Sequence, residues 1–212
     1  MRKRNIIKVL MYSFGIVLTG LGINLLLRSS LGAGAWDAVT NNLSKLADIT
    51  LGSAGAIVNI LILAFLILYN KKVKFVFVLV PIVGIALATD FWDIIILKDY
   101  LPSGYGLKLV LFIFGTTILT FGLALMIITS FPAMVYDELT LTLMKILNIK
   151  NFFTTRIGIE VAGVLLAIFF GFAADIRFGA VSFGTFILAI IIGPLISLHM
   201  KWLGHVLKWK TS

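Results

Sequence analysis

The chain has no cysteine, four prolines and two histidines, and only 13% of its 212 residues are charged. Without cysteine there is no disulfide framework, no thiol nucleophile and no thiolate-bound zinc or iron–sulfur site. Two histidines, His199 and His205, are too few for a histidine-rich metal centre, and neither a metal nor a cofactor is expected. The shortage of charge excludes more. A soluble domain carries roughly a quarter of its residues as Asp, Glu, Lys or Arg. Here 60% of residues are hydrophobic, the mean hydropathy is +1.11, and the apolar residues fall in long runs. Such runs suit a hydrocarbon core of about 30 Å, so the composition implies an integral membrane protein and excludes a soluble single-domain enzyme.

Acidic residues are also scarce, 9 against 18 basic, giving a net charge of +9. A nucleic-acid binder would gather its basic residues on one exposed face. These lie instead at the ends of apolar runs, which points to topology signals and contact with anionic lipid headgroups at the basic loops, and not to nucleic acid. No nucleophile–base set, phosphate-binding loop or dinucleotide fingerprint is present, and Gly20-x-Gly22 lies inside an apolar run without a strand before it. No enzymatic activity is expected.

Six spans are predicted, at 6–27, 51–70, 75–97, 108–130, 154–174 and 179–200. The charge-free run from Val9 to Leu27 exceeds the usual apolar stretch of a cleavable leader, so it reads as the first span. With the N-terminus in the cytoplasm, the cytoplasmic loops and termini hold Arg2, Lys3, Arg4, Lys8, Lys71, Lys72, Lys74, Lys145, Lys150, Arg156, Lys201, Lys208 and Lys210. The opposite face holds Arg28, Lys45, Lys98, Lys108 and Arg177. This bias places both termini in the cytoplasm. Trp36, Trp92, Trp202 and Trp209, near span ends, are compatible with interfacial belts.

Sliding the chain by one hundred residues brings like residues together. Phe14-Gly15 meets Phe114-Gly115, Gly22 meets Gly122, Ser30 meets Ser130, Ala33 meets Ala133, Trp36 meets Tyr136 and Asp37 meets Asp137. Thr40, Leu43, Lys45 and Ile49 likewise meet identical residues at 140, 143, 145 and 149. Polar matches of this kind go beyond shared hydrophobicity and indicate an internal repeat. Residues 1–100 and 101–212 then form two halves separated by three crossings, so they enter the membrane in opposite directions. The expected fold is an all-α membrane protein of six transmembrane helices, arranged as two inverted three-span repeats, each with a short amphipathic or re-entrant helix after its first span.

Each short helix follows a breaker: Ser30-Leu-Gly-Ala-Gly-Ala-Trp-Asp37 and Ser130-Phe-Pro-Ala-Met-Val-Tyr-Asp137. Gly32 and Gly34 loosen the backbone, and Pro132 removes a donor. Interrupted apolar segments at corresponding places in two halves point to a transporter site, because they expose backbone groups and dipole ends. Gly32, Gly34, Trp36, Asp37, Pro132, Tyr136, Asp137 and Glu138 are therefore the substrate-binding candidates. The plainer reading of Asp37 and Asp137 is a first-turn charge favoured by the helix dipole on a surface helix.

Ionisable groups inside spans add coupling or gating candidates. Glu160 stands a turn inside the fifth span, four residues from Arg156, with which it could simply pair. Asp90 and Asp93 close the third span, and aligning Gly84 with Gly193 sets His199 opposite Asp90. Asn24 and Asn59 are expected to bridge helices, and Gly15, Gly20, Gly22, Gly115, Gly122, Gly184 and Gly193 to allow close packing. Pro194 is expected to kink the last span.

The Leu-Gly-x-Gly-x-Trp-Asp stretch at 31–37, its second copy ending in Asp137, and Phe178-Gly-x-x-x-Phe-Gly-Thr185 resemble the YczE/YyaS/YitT group of bacterial membrane proteins. The resemblance spans most of the chain and rests on motif order. It departs at Gly34-Ala-Trp-Asp37, where the group has Gly-Pro-Trp-Asp, and at Val135-Tyr-Asp137 in the second copy. It implies a multi-pass inner-membrane protein and leaves the activity open. The leading expectation is a permease for an unidentified small solute. The alternatives are a membrane scaffold or accessory protein without flux of its own, or the substrate-binding subunit of an energy-coupling transporter. A homo-oligomer or a partner membrane protein fits any of these.

Overall fold

A computed structural model describes residues 2–132 and 134–207, without the side chains of residues 2–4, 73 and 74. Ala133, Arg2, Lys3, Arg4, Lys74, Lys208, Trp209 and Lys210, which the sequence reading used for the repeat, the interfacial belts and the lipid contacts, therefore lie wholly or by side chain outside the described residues. The helices are α1 (Arg2–Ser29), α2 (Ala35–Ala47), α3 (Leu51–Asn70), α4 (Leu79–Asp90), α5 (Tyr105–Ile128), α6 (Val135–Leu147), α7 (Phe152–Ala173) and α8 (Phe183–Leu207). A 3₁₀ segment, Val73–Val78, leads into α4, and a π-helical turn, Phe91–Ile96, extends it.

Among the described residues, six helical stretches are long and apolar enough to cross a membrane: Asn5–Ser29, Leu51–Asn70, Phe75–Ile96, Tyr105–Ile128, Phe152–Ala173 and Phe183–Leu207. Lipid supplies no hydrogen bonds, so a spanning segment must satisfy its backbone internally, as a helix does. Side chains follow the same rule. The hydroxyls of Thr19, Thr116 and Thr120 donate to the carbonyls of Gly15, Phe112 and Thr116, four residues back on their own helices.

The last span departs furthest from its expected bounds. The last span begins at Phe183, not 179, because Asp175, Arg177 and Gly179 adopt left-handed backbone conformations in the preceding turn. It also runs past residue 200 to Leu207 and continues through Pro194. The single charge of Lys201 does not end it, because Trp202, Leu203, Val206 and Leu207 continue the apolar helix.

The bundle is built around α1 and α5, which run antiparallel at close range. A Cβ on Gly15 would lie 2.7 Å from the Gly122 carbonyl oxygen, and one on Gly122 would lie 2.8 Å from the Thr19 nitrogen. Gly22 abuts Leu119, and Gly115 abuts Leu25 and Leu26. Gly20 meets Ala88 of α4, and Gly184 meets Leu31 and Phe112. Small residues let helix backbones approach where lipid gives no hydrophobic push. Gly193 is different from the others, since nothing lies within 4 Å of its would-be Cβ. The expectation of close packing fails there. Asn24 does bridge, donating to the carbonyls of Gly20 and of Thr89 in α4.

The turns leaving α1 and α5 are built alike. Ser29 Oγ donates to the Leu26 carbonyl at 2.6 Å, as Thr129 Oγ1 does to Met126 at 2.6 Å. Ser30 and Ser130 both have positive φ, 55° and 63°. The short helices end alike too, in left-handed Asp48 and Asn148, after which Ile49 and Ile149 donate back to Ser44 and Met144.

Candidate functional site

Helices α2 and α6 lie outside the six spanning stretches. Ala35 and Trp36, at the start of α2, pack on Gly163 near the middle of α7. Further on, Asn42 donates to the carbonyls of Ala167 and Phe178 and accepts from the Ala180 amide, tying the helix to the far end of α7. At the start of α6, Tyr136 lies within hydrogen-bonding reach of Asn59, near the middle of α3. Later, Thr142 accepts a bond of 2.9 Å from Asn70, at the end of α3. Neither helix therefore lies flat on a surface. Each begins halfway along a span and leads outward, and the two beginnings meet at the Trp36 and Tyr136 rings, whose centroids are 5.0 Å apart.

Their buried sides are not simply the apolar faces. Asn42, Ser44, Thr140 and Thr142 are buried, whereas Leu46, Leu141 and Ile146 are exposed. Apolar residues turned outward and polar residues turned inward fit a helix embedded in the bundle better than a helix floating on it.

Beside the ring pair is a cavity of ≈ 40 Å³, lined by Asp37, Thr40, Asn59, Tyr136 and apolar residues of α1, α3 and α4. That is room for a few waters or a small ion. Asp37 is half-buried and makes no hydrogen bond or ion pair among the described residues. Burial pushes its carboxyl up to about 7, and the negative charge of Glu160 adds to the rise. The Tyr136 hydroxyl is raised as well, by burial first and then by Asp37 and Glu160.

Asp137 occupies the equivalent first-turn position in α6 but has different surroundings. Its side chain is 67% exposed and accepts from Arg156 at 3.0 Å. Arg156 also holds Glu160 at 2.9 Å, as the four-residue spacing foreshadowed, and its guanidinium carbon sits 5.9 Å from the Tyr136 ring centroid. Glu160, Arg156, Tyr136 and Asp37 thus form one electrostatic cluster. Glu138 is half-buried.

The remaining candidates are held elsewhere. Gly32 has φ 129°, and a Cβ there would lie 2.5 Å from the Thr185 nitrogen, so glycine permits a close turn against α8. Gly34 caps α2, and the Pro132 carbonyl accepts the Tyr12 hydroxyl. Asp90 accepts from Thr50 Oγ1 and from the Gly52 amide, both at 2.6 Å, and so caps the start of α3 from a neighbouring helix. His199 stands edge-on to Phe121 with centroids 5.5 Å apart, and its Nδ1 is buried without a partner among the described residues. Asp90 and His199 are not brought together.

Sequence inspection did not foresee the lysine-rich cleft at the other end of α2. It has a volume of ≈ 740 Å³, and its lining includes Arg28, Lys45, Lys98, Lys108, Asp48 and Asp93. The residues lie on four separate stretches of chain, so no local motif announces them.

Six spanning helices and a polar cluster among them define a multi-pass integral membrane protein. Residues 6–201 match the family described as a family of unknown function, DUF6198, and the chain belongs to that family. It is also similar to the uncharacterised protein YyaS of Bacillus subtilis (strain 168), 25% identical over 193 residues, covering 91% of this chain and 92% of the relative. No solved structure matches the chain.

Proposed function

We propose that this protein is a small-solute permease of the bacterial inner membrane, with its site where α2 and α6 meet. The observation that carries the reading is the Trp36–Tyr136 contact between the starts of two half-length helices, beside a cavity lined by Asp37, which has no ion pair or hydrogen bond among the described residues. Interrupted helices whose N-termini meet within a bundle place positive dipole ends and free backbone donors around a polar solute.

The halves are read as an inverted repeat. Gly15 faces Leu125 as Gly115 faces Leu25, and Gly22 faces Leu119 as Gly122 faces Thr19. Such reciprocity across antiparallel α1 and α5 is what a two-fold axis in the membrane plane would generate. In this arrangement both termini are cytoplasmic, in keeping with the basic loops on that side, which contact anionic headgroups. Asp37 and Glu160 are the residues that would couple movement to protons, Arg156 setting the charge between them. The activity is translocation and not catalysis.

A second reading is a scaffold without flux, alone or with a partner membrane protein. Its support is that Asp90, Asp137 and Glu160 all find partners within the chain. The absence of native cysteine makes the test clean. Thr40→Cys and Asn59→Cys, both lining the cavity, are exposed to an impermeant thiol reagent in intact cells and in inverted vesicles. A permease gives reaction from both faces. Reaction from one face only, or from neither, removes the alternating pathway and leaves the scaffold.

A further inference from the structure

The cleft beyond α2 is unusual in its charge. Five basic residues are assigned to the membrane face opposite the N-terminus, and Arg28, Lys45, Lys98 and Lys108 line this single cleft. Loops on that face ordinarily carry few Lys and Arg, so topology signalling does not account for the gathering.

Arg28 is already committed. Its guanidinium holds Asp93 at 2.8 Å and also donates to the carbonyls of Asp93 and Tyr100. That network anchors the π-helical turn to α1 and neutralises Asp93. Lys45, Lys98 and Lys108 remain, with no ion pair among the described residues, against the single carboxylate of Asp48. Ser30, Asn41 and Ser44 add polar groups, while Leu27, Ile94, Leu101 and Pro102 supply apolar wall. Like charges held in a concave, partly apolar site focus a positive potential on whatever enters. The volume of ≈ 740 Å³ lies within the range of about 300 to 1,000 Å³ typical of small-molecule sites.

We propose that this cleft is an oxyanion-binding vestibule, taking the phosphate or carboxylate of a small solute or the phosphate of a lipid headgroup. Leu51 lines both the vestibule and the inner cavity, so an anion held here is one side chain from the chamber of Asp37 and Tyr136. Binding in the vestibule does not depend on whether the chamber conducts anything.

The test uses the full chain purified in maltoside micelles, which contain no phosphate. Inorganic phosphate is titrated against chloride at constant ionic strength, and the unfolding midpoint is followed. A saturable rise is expected. The triple variant K45Q/K98Q/K108Q should weaken the response at least tenfold, whereas K71Q/K72Q, two exposed lysines at the opposite end of the bundle, should leave it unchanged. Each glutamine keeps most of the aliphatic stem, and equal midpoints without phosphate verify that the variants fold. Adding phosphatidylglycerol separates the sources: a rise with lipid but not with free phosphate, lost in the triple variant, identifies the headgroup. No saturable response to either, or a response that survives in K45Q/K98Q/K108Q, overturns the vestibule.

Discussion

Trp36 and Tyr136, one hundred residues apart, face each other with ring centroids 5.0 Å apart and planes inclined by 30°. Each belongs to the first turn of a short helix, so the contact joins two helix beginnings that reach the middle of the bundle along different spans. The Tyr136 ring also receives Arg156, and its hydroxyl lies near Asn59. One aromatic pair thereby links α2, α3, α6 and α7.

Separate and joint replacement of Trp36 and Tyr136 by alanine should therefore be non-additive. Aromatic pairs contribute about 0.5–1.5 kcal/mol beyond their buried area. A double-mutant cycle on unfolding in detergent should return a coupling of that size. Tyr136→Phe keeps the ring pair and removes only the hydroxyl, so it should retain the coupling. A cycle that sums to zero would mean the rings are merely adjacent.

Arg156 serves two carboxylates whose environments differ. Glu160 is 21% exposed and Asp137 is 67% exposed. Removing the arginine strands Glu160 much more than Asp137, because an uncompensated charge is expensive only where water is excluded. Arg156→Leu should destabilise by about 1–3 kcal/mol, the cost of leaving a partly buried group unsatisfied, and adding Glu160→Gln should recover most of the loss. Asp137→Asn alone should stay within about 0.5 kcal/mol of the parent, as exposed pairs do. Thermal melts of the four proteins decide it, and failure of the rescue would show that Arg156 acts through packing instead.

The raised carboxyl of Asp37 makes stability pH-dependent with a defined sign. An unfolded aspartate releases its proton near pH 4, whereas in the folded protein Asp37 keeps it up to about 7. Between these values the folded state binds more protons than the unfolded state, so stability from this group is complete below pH 4 and falls as pH rises toward 7. Asp37→Asn cannot titrate and should flatten that slope, with a higher midpoint than the parent at pH 8. The midpoint changes by roughly 2–4 °C per kcal/mol for a chain of this size. Equal slopes in the two proteins between pH 5 and pH 8 would assign the titration to another group.

Much of this fold could be read before any coordinates. Apolar runs located six spans, and the offset of one hundred located α2 and α6, whose starts at Ala35 and Val135 repeat to the residue. The unequal fates of Asp37 and Asp137 could not be read from the alignment, which treats them as equivalents. The difference comes from the spans that follow: the second half has Arg156 and Glu160, and the first half has Ala56 and Ile60 at the same offsets. Surface-lying and embedded helices also share one amphipathic pattern, so only tertiary ties such as Asn42 to Ala167 and Asn70 to Thr142 separate them. The lysine cleft stayed hidden for a related reason, since Arg28, Lys45, Lys98 and Lys108 converge only when the chain folds.

The glycines offer the sharpest contrast between pattern and packing. Gly122 and Gly193 both sit inside apolar spans, and sequence inspection assigned both to close helix contacts. At Gly122 a methyl group would lie 2.8 Å from the Thr19 nitrogen and 2.9 Å from the Gly15 carbonyl, backbone atoms that cannot turn aside. Gly122→Ala must therefore push α1 and α5 apart, and overpacking of a tight contact costs about 1–3 kcal/mol. At Gly193 a methyl group meets nothing within 4 Å beyond its chain neighbours, and the helix propensity of alanine, better by about 1 kcal/mol, is set against crowding from the Pro194 ring that follows. Gly193→Ala should accordingly leave the melting midpoint close to the parent's, while Gly122→Ala lowers it by several degrees. If Gly122→Ala melted with the parent, α1 and α5 could not be as close as their reciprocal glycines require, and the proposed inverted repeat would lose its main support.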